Sequence, residues 1–303
     1  MIIRRDPDMV DFGRVITAMV TPFTPDLKEV DFDKAARLAE LLVNTGSDSI
    51  VVAGTTGESP TLSTEEKLGL FRAVVEAVGD RAKVIAGTGG NSTASSIELT
   101  REAENLGVHG IMLVVPYYNK PPQEGLIAHF TAIADSTRLP VILYNIPGRT
   151  GINMTPATIE TLSRVENIVG VKEASGNLEQ VTDIRSRTPS SFKIYSGDDS
   201  LTLPIVSVGG EGVVSVASHI AGKEIKQMID AFHEGNVSLA ADLNSKLFPL
   251  FKALFVTTNP IPLKAALKLT GFDVGGVRPP LVEAGEGELA VIEKALRALG
   301  YLA

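Results

Sequence analysis

Residues 141–172 read VILYNIPGRTGINMTPATIETLSRVENIVGVK and have the pattern of one complete strand–helix–strand unit. The apolar runs Val141–Asn145 and Ile168–Lys172 predict strands, and the segment Ala157–Leu162 between them predicts a helix. A strand that is apolar along its whole length is typical of a parallel sheet with helices on both faces. This stretch therefore predicts an α/β fold built from strand–helix units.

The same pattern repeats on both sides of this stretch. Further strands are predicted at Val15–Val20, Ser49–Ala53, Lys83–Ala86, Gly110–Val115, Lys193–Ser196 and Gly212–Val216. Further helices are predicted at Phe32–Val43, Glu65–Val78, Ala94–Leu106, Glu124–Ser136, Leu178–Arg187 and Leu201–Val208. Eight such units predict a closed (β/α)8 TIM barrel.

The pattern changes near residue 220, after which no strand is predicted. The rest of the chain is predicted to form helices at Lys223–His233, Val237–Phe255, Leu263–Leu269 and Glu288–Leu299. We therefore predict a catalytic barrel over residues 1–222 and a C-terminal helical domain over residues 223–303. The helical domain is expected to pack on the barrel or on a neighbouring subunit.

Local signals support the predicted helix ends. Ser63 and Glu66 have the spacing of a capping box at the start of the second helix. Gly46, Gly79 and Gly107 each follow a predicted helix, and we expect each to adopt the left-handed conformation that ends a helix.

Charge and composition exclude several classes of protein. The 303 residues include 28 Lys and Arg against 36 Asp and Glu, which gives a net charge of −8. An acidic chain without a basic block has no electrostatic footprint for nucleic acid or for an anionic membrane. The absence of cysteine excludes thiol nucleophiles and disulfides and fits a reducing compartment, so we expect a cytoplasmic protein. The N-terminal stretch MIIRRDPDMVDFG lacks the apolar segment of a signal peptide.

Lys172 ends the sixth predicted strand, on the face that it shares with Gly170 and Ile168. The active site of a barrel of this kind lies where the strands end. If the shared face is the barrel interior, desolvation lowers the pKa of the lysine, and a neutral amine can form a Schiff base with a ketone. The alternative is a structural lysine that snorkels at the strand end or pairs with Glu173.

Other polar residues follow the ends of neighbouring strands. Tyr144 lies one strand–helix unit before Lys172, so the two are predicted at the same height, where a tyrosine can transfer protons. Thr55 and Thr56 lie in a glycine-bounded turn whose hydroxyl and N–H groups suit a small carboxylate. Arg149 is expected in a loop over the barrel mouth and can bind a carboxylate. Each of these has a structural alternative. Tyr144 would be an aromatic residue that closes the barrel mouth, the two threonines would cap a tight turn, and Arg149 would be a surface arginine.

Three further motifs are less specific. Tyr117 and Tyr118 are adjacent in an extended segment, so at most one of them should reach a given pocket. Asp198 and Asp199 are expected to cap the helix that follows. The loop Gly209–Gly212 is a candidate phosphate-binding loop. The four histidines show no metal-binding spacing, so no metal or cofactor is predicted.

Six motifs together resemble the dihydrodipicolinate synthase / N-acetylneuraminate lyase superfamily, and within it the synthase branch. In chain order they are GTTGESPTL (54–62), PYYNKP (116–121), YNIPGRTG (144–151), GVKEASG (170–176), YSGDD (195–199) and NPIPLKAAL (259–267). The resemblance covers essentially the whole chain. It implies class I aldolase chemistry in which pyruvate condenses with L-aspartate 4-semialdehyde to give 4-hydroxy-tetrahydrodipicolinate, on the route to diaminopimelate and lysine.

The resemblance also implies catalytic roles at the matching positions. Lys172 is expected to form the pyruvate Schiff base. Tyr144 is expected to transfer protons in a chain with Thr55 and Tyr118. Tyr118 would come from the partner subunit across a tight dimer, within a homotetramer built as a dimer of dimers.

The implied substrate-binding residues surround these groups. Thr56 is expected to hold the pyruvate carboxylate, with the backbone near Gly197 and Val214 lining the pocket. Arg149 is expected to bind the carboxylate of the semialdehyde. The arginine loop and Thr55 both favour the synthase over relatives that use sugar acids.

One departure from the family pattern concerns feedback inhibition. Some members are inhibited by L-lysine at a dimer-interface site that contains an Asn, a Tyr, two His and a Glu. Asn91 and Tyr117 match this pattern, whereas the other positions hold Thr64, Lys67 and Ser95. A cationic Lys67 and a missing carboxylate disfavour a cationic inhibitor, so we expect weak or absent feedback.

Three other functions remain open on the sequence. A 2-keto-3-deoxy sugar-acid or 4-hydroxy-2-oxoglutarate aldolase would keep the Schiff base and change the aldehyde. A non-catalytic barrel would bind pyruvate as a sensor or serve as an oligomeric scaffold. A phosphate-binding barrel isomerase would use the loop Gly209–Gly212.

Overall fold

A computed structural model, which describes residues 11–302, contains a closed barrel of eight parallel strands. The strands are β1 (Val15–Ala18), β2 (Ser49–Val52), β3 (Lys83–Gly87), β4 (Gly110–Val114), β5 (Val141–Asn145), β6 (Ile168–Glu173), β7 (Lys193–Ser196) and β8 (Gly212–Ser215). They pair in chain order, and β8 pairs with β1 to close the barrel. The predicted barrel is confirmed, and every strand begins at the predicted residue.

Side chains along the strands alternate between the barrel interior and the surrounding helices. Ile142 and Tyr144 of β5 belong to the interior cluster, whereas Leu143 packs in the layer between the strands and the helices. Lys172 is paired in register with Tyr144 on one side and with Tyr195 on the other, and both tyrosines face the interior. The Lys172 side chain therefore points into the barrel, as predicted. The prediction that Ile168 shares this face was wrong, because a register shift between β5 and β6 places Ile168 in the layer between the strands and the helices.

The helices of the barrel layer differ from prediction by at most two residues at either end, with one addition. They are α1 (Phe32–Asn44), α2 (Thr64–Val78), α3 (Thr93–Asn105), α4 (Gln123–Ala134), α5 (Pro147–Thr150), α6 (Pro156–Leu162), α7 (Leu178–Arg187) and α8 (Thr202–Ser207). Helix α5 was not predicted because a single turn is too short to show a helical period.

The C-terminal part is helical, as predicted. Its helices are α9 (Ser218–His233), α10 (Val237–Ala253), α11 (Ile261–Leu269) and α12 (Glu286–Ala298). Helix α9 begins at Ser218 rather than Lys223, follows β8 directly, and packs against β1, α1 and α8, so it is the eighth helix of the barrel. The predicted domain boundary at 222/223 falls inside α9, beside non-helical backbone at Ala221. The division into two domains stays a prediction.

The helix ends agree with the expected caps at all but one position. The Ser63 hydroxyl accepts a hydrogen bond from the Glu66 N–H, and the Glu66 carboxylate accepts one from the Ser63 N–H, which confirms the capping box. Gly46 and Gly107 have φ values of 114° and 79°. The prediction for Gly79 was wrong, because this residue has φ −61° and continues the right-handed turn at the end of α2.

No helix within residues 11–302 combines the length and the apolar content needed to cross a membrane. The lack of a signal peptide was predicted from the stretch that starts at residue 1. Residues 1–10 lie outside the described part of the chain, so this stays a prediction.

Candidate active site

Lys172 lies near the carboxyl end of β6 and is only 4% exposed. Its Nζ atom lies 4.2 Å from the centroid of the Tyr144 ring. Burial lowers the pKa of Lys172 to about 7, while the charge of Asp199 acts to raise this pKa and that of Arg149 to lower it further. A substantial fraction of the side chain is therefore neutral amine near pH 7, which is the form that attacks a carbonyl group.

Tyr144 stands beside Lys172 on β5, at the same height, as predicted. Burial raises the pKa of Tyr144 to about 12, against the opposing effects of a hydrogen bond with the Thr55 side chain and of the Arg149 charge. The phenol is therefore protonated at neutral pH and can donate a proton to a neighbouring group.

A cavity of about 240 Å³ opens at this end of the barrel. Its walls include Thr55, Tyr144 and Arg149, so the fold brings three of the predicted site residues together. Lys172 contacts this wall through the Tyr144 ring. A second cavity, of about 420 Å³, lies between α11 and the segment 273–289, away from Lys172.

Arg149 lies on α5 rather than in the predicted loop. Pro147 fits the first turn of this helix because its φ is fixed near the helical value, and Gly151, with φ 79°, ends the helix in the left-handed conformation. The Arg149 guanidinium donates a hydrogen bond to the backbone oxygen of Asn259 at 3.1 Å. This contact holds the guanidinium group of the cavity wall against the C-terminal part of the chain.

Thr55 and Thr56 follow β2 in a sharply bent segment. Ala53 and Glu58, on either side of it, both have positive φ, of 54° and 56°. Thr55 lines the cavity, whereas Thr56 is 3% exposed, and its hydroxyl oxygen accepts a hydrogen bond from Asn259 Nδ2 at 2.9 Å. The two threonines therefore have different surroundings although they are adjacent.

Gly197 and Val214 border the Lys172 end of the barrel interior. The Gly197 N–H donates a hydrogen bond to the Glu173 backbone oxygen, and a Cβ atom at Gly197 would lie 3.2 Å from Lys172 Cε and closer still to Ala174. Glycine is therefore needed at position 197, chiefly to avoid Ala174, and its lack of a side chain also leaves room beside the lysine. Val214 belongs to the interior cluster that contains Tyr144.

Asp198 and Asp199 have different roles, which corrects the prediction that both cap a helix. The Asp198 carboxylate accepts a hydrogen bond from the Ser200 N–H and caps the short turn that follows. The buried Asp199 carboxylate instead accepts hydrogen bonds from the Ser215 hydroxyl and from two N–H groups just beyond β8. Burial raises the pKa of Asp199.

The adjacent tyrosines point to different places, as predicted. Tyr117 lines the cavity, whereas Tyr118 is 90% exposed and has φ 75°. Tyr118 is therefore outside the cavity of its own chain. Its predicted contribution to a partner's site stays a prediction.

The loop Gly209–Gly212 lies at the opposite end of the barrel from Lys172, because it precedes β8 instead of following a strand. A Cβ atom at Gly212 would lie 2.0 Å from the Arg14 backbone oxygen, so close packing against β1 accounts for this glycine. The hypothesis of a phosphate-binding active-site loop here was wrong.

A sequence profile described as the dihydrodipicolinate synthetase family matches residues 11–299. The chain belongs to this family. It is 60% identical over 294 residues to 4-hydroxy-tetrahydrodipicolinate synthase of Desulforamulus reducens. This match covers 97% of this chain and 99% of the relative. The synthase of Moorella thermoacetica is also 60% identical, over 293 residues, with 97% and 100% covered. A crystal structure of DHDPS from Cyanidioschyzon merolae with lysine bound has a TM-score of 0.95 and 53% identity and covers 96% of this chain and 99% of that one.

Membership in the dihydrodipicolinate synthetase family confirms the resemblance inferred from the six motifs. One residue of the site was missed. Asn259 contacts both Arg149 and Thr56, although its place in the motif NPIPLKAAL was the only sign of it in the sequence. The contact between Asn259 and Thr56 joins residues 203 positions apart, which no local pattern can indicate.

Proposed function

We propose that this chain catalyses the condensation of pyruvate with L-aspartate 4-semialdehyde to 4-hydroxy-tetrahydrodipicolinate, a step of diaminopimelate and lysine biosynthesis. The observation that carries this proposal is the buried Lys172 amine beside Tyr144, at the carboxyl end of a closed parallel barrel. Relatives that are 60% identical over nearly the whole chain are named for the same reaction.

Lys172 is the proposed nucleophile. Its Nζ attacks C2 of pyruvate, the carbonyl oxygen leaves as water, and a Schiff base forms. Loss of a C3 proton gives an enamine, and its C3 attacks the aldehyde carbon of the semialdehyde, whose oxygen gains a proton and becomes the hydroxyl group. The amino group of the semialdehyde then replaces Lys172 at C2, which closes the ring and frees the lysine.

Tyr144 is the proposed proton donor and acceptor for these steps. The oxygen that leaves C2 needs a proton, and a phenol that is still protonated at neutral pH beside Lys172 can supply it. The hydrogen bond with Thr55 gives Tyr144 a partner through which the proton can be replaced.

Two further groups are proposed to bind the substrate carboxylates. The Thr56 hydroxyl and the N–H groups of the bent segment around it are suited to the pyruvate carboxylate, with Gly197 and Val214 bordering the reacting carbon. The Arg149 guanidinium at the cavity wall is suited to the semialdehyde carboxylate, since its planar fork binds carboxylates bidentately.

Trapping with borohydride tests the Schiff base directly. Reduction in the presence of pyruvate is expected to attach a pyruvate adduct to Lys172, located by mass spectrometry of peptides, and Lys172→Ala is expected to remain unmodified. A sensor that binds pyruvate without covalent chemistry would give no adduct. Turnover of L-aspartate 4-semialdehyde, compared with sugar-acid aldehydes and glyoxylate, then separates the synthase from an aldolase of the same superfamily.

The active assembly is proposed to be a homotetramer in which Tyr118 completes the site of a partner subunit. Support comes from the 90% exposure of Tyr118 next to Tyr117, which lines the cavity. Mixing inactive Lys172→Ala and Tyr118→Phe chains tests this role, because a mixed dimer would contain one intact site only if the tyrosine acts across the interface. Recovery of activity is expected, and no recovery would place the tyrosine's function within its own chain. A cytoplasmic location stays a prediction, which cell fractionation can test.

A further inference from the structure

Asn259 contacts the two groups that are proposed to bind the two substrate carboxylates. Its side-chain Nδ2 donates a hydrogen bond to the Thr56 hydroxyl oxygen at 2.9 Å, and its backbone oxygen accepts one from Arg149 at 3.1 Å. Asn259 is 6% exposed and lies just before α11, outside the barrel strands and the loops that follow them. One residue of the C-terminal part is therefore placed to influence both of the proposed carboxylate-binding groups.

The C-terminal part holds the bent segment at a second point. Glu58, two residues after Thr56, forms an ion pair of 2.6 Å with Lys264 of α11, and both side chains are at most 3% exposed. The other carboxylate oxygen of Glu58 accepts a hydrogen bond from the backbone N–H of Arg278. The position of Thr56 relative to Asn259 is thus fixed by buried contacts on both sides.

In the hydrogen bond between Asn259 and Thr56 the asparagine is the donor and the threonine hydroxyl is the acceptor. This direction decides whether the Thr56 hydroxyl hydrogen is available to a substrate. A hydroxyl group has one hydrogen to donate and lone pairs to accept with. Because Asn259 Nδ2 occupies a lone pair of the Thr56 oxygen, the hydroxyl hydrogen is left for another acceptor. Among residues 11–302 the Thr56 hydroxyl donates to no acceptor, and the buried Asn259 Oδ1 has no hydrogen-bond partner. A substrate carboxylate would supply the missing acceptor for Thr56.

We propose that Asn259 is a positioning residue that orients the Thr56 hydroxyl as a hydrogen-bond donor toward the pyruvate carboxylate. This inference rests on the proposed function, because it takes Thr56 as a ligand of pyruvate. Asn259 itself need not touch pyruvate. It acts through Thr56, and it anchors Arg149 with a backbone atom that side-chain substitution leaves in place.

Two substitutions separate the parts of this inference. Asn259→Ala removes the donor to Thr56 and is expected to raise the KM for pyruvate about 3–10-fold, since one neutral hydrogen bond is lost. Asn259→Asp is nearly isosteric but can only accept when ionised, so it captures the Thr56 hydrogen and is expected to raise this KM further, about 10–100-fold. The KM for the semialdehyde is expected to change less than about twofold in Asn259→Ala, because the backbone oxygen that binds Arg149 remains.

A double-mutant cycle shows whether Asn259 acts through Thr56. In a Thr56→Val background, which lacks the hydroxyl group, Asn259→Ala is expected to have no further effect on the KM for pyruvate. Asn167→Ala serves as a matched control. Asn167 lies just before β6, at the far end of the barrel, and its amide donates to three backbone carbonyls between the end of α4 and the start of β5. This control is expected to lower the melting temperature without changing either KM.

The outcomes distinguish this inference from the proposed function. An unchanged KM for pyruvate in Asn259→Ala, or an undiminished effect in the Thr56→Val background, overturns the role of Asn259. The same comparison can be made with the pyruvate concentration that gives half-maximal borohydride trapping at Lys172, which needs no semialdehyde. A wild-type chain that traps pyruvate but never turns over semialdehyde overturns the proposed reaction and leaves this test of Asn259 intact. If Asn259→Ala fails to fold, the near-isosteric Asn259→Asp carries the same comparison.

Discussion

Tyr144 and Lys172 are register partners on β5 and β6, and the lysine Nζ lies 4.2 Å from the centroid of the tyrosine ring. The ring covers the amine and helps to exclude water from it, and the same contact keeps the tyrosine side chain beside the group that is proposed to hold the substrate. The same pairing thus contributes both the low pKa of the proposed nucleophile and the adjacent proposed acid.

Tyr144→Phe tests the acid function while it keeps the ring. Loss of the hydroxyl is expected to lower kcat about 10²–10⁴-fold, the usual contribution of a positioned proton donor. The reduced pyruvate adduct on Lys172 should still form, but more slowly. Tyr195→Phe is a matched control, because Tyr195 also pairs with Lys172 on the interior face. Burial raises the pKa of the Tyr195 hydroxyl, and Glu211 at the opposite end of the barrel raises it further. A comparable loss in Tyr195→Phe would contradict the assignment.

The pH dependence of pyruvate capture is expected to report the pKa of Lys172. Only the neutral amine attacks, so kcat/KM for pyruvate should rise with pH and level off above about 7. Arg149→Ala removes a positive charge that lowers this pKa, so the midpoint should move to higher pH. Asp199→Asn removes a negative charge that raises it, so the midpoint should move to lower pH. Stopped-flow or quenched trapping rates over the pH range measure both shifts, and shifts in the same direction would contradict the electrostatic origin.

Lys172 is expected to reduce the stability of the fold below neutral pH. Its pKa falls from 10.5 to about 7 on burial, so between these values the unfolded chain holds a proton that the folded chain lacks, and the free energy of unfolding rises with pH. Below about pH 7 the folded state carries the full cost of a buried charge. Lys172→Met should therefore raise the free energy of unfolding by roughly 2–4 kcal/mol at pH 6, with a smaller gain at pH 10. Urea denaturation at both pH values measures this, and a gain independent of pH would refute it.

The barrel and its central pair could be predicted because both follow from local periodicity. Alternation predicted that Gly170 and Lys172 share the inward face, and an offset of one strand–helix unit predicted the height of Tyr144. The same alternation was wrong for Ile168, because the register between β5 and β6 shifts at the start of β6. Each step needs only the strand period and the parallel order of the strands.

The parts of the site that were missed depend on packing between distant segments. The partner of Thr56 comes from the far C-terminal part, and the position of Asp199 at the end of β8 is decided by hydrogen bonds across two strands. A pair of aspartates before a helix is typical of caps, so the sequence could not separate Asp198 from Asp199. The single turn that carries Arg149 is also below the length at which a helical period is visible.

Weak or absent inhibition by L-lysine is expected of this chain. Lys67 lies on α2 and Ser95 on α3, at positions where the resemblance implies a histidine and a glutamate in the inhibited members. A cation without a facing carboxylate disfavours binding of a cationic effector. Activity should therefore fall little or not at all in millimolar L-lysine. The combined variant Thr64→His, Lys67→His and Ser95→Glu should gain sensitivity to L-lysine. Strong inhibition of the unmodified chain would overturn this expectation.

The buried ion pair between Glu58 and Lys264 is expected to matter for both stability and activity. Burial lowers the pKa of Lys264, while the charge of Glu58 opposes this effect, so the Lys264 ammonium group depends on the Glu58 carboxylate to remain charged in the interior. Lys264→Met leaves the Glu58 carboxylate without its countercharge and should lower the free energy of unfolding by about 3–5 kcal/mol. Adding Glu58→Gln should recover much of this loss, because the uncompensated charge is then removed.

A surface pair provides the control for this last experiment. Arg164 and Glu160 are separated by 2.8 Å, but the arginine side chain is 72% exposed, so Arg164→Ala should change the free energy of unfolding by less than about 1 kcal/mol. Because Glu58 is two residues from Thr56, Lys264→Met should also raise the KM for pyruvate, and Arg164→Ala should not. Equal destabilisation by the buried and the surface substitution would mean that the Glu58–Lys264 pair is not what anchors the bent segment to the C-terminal helices.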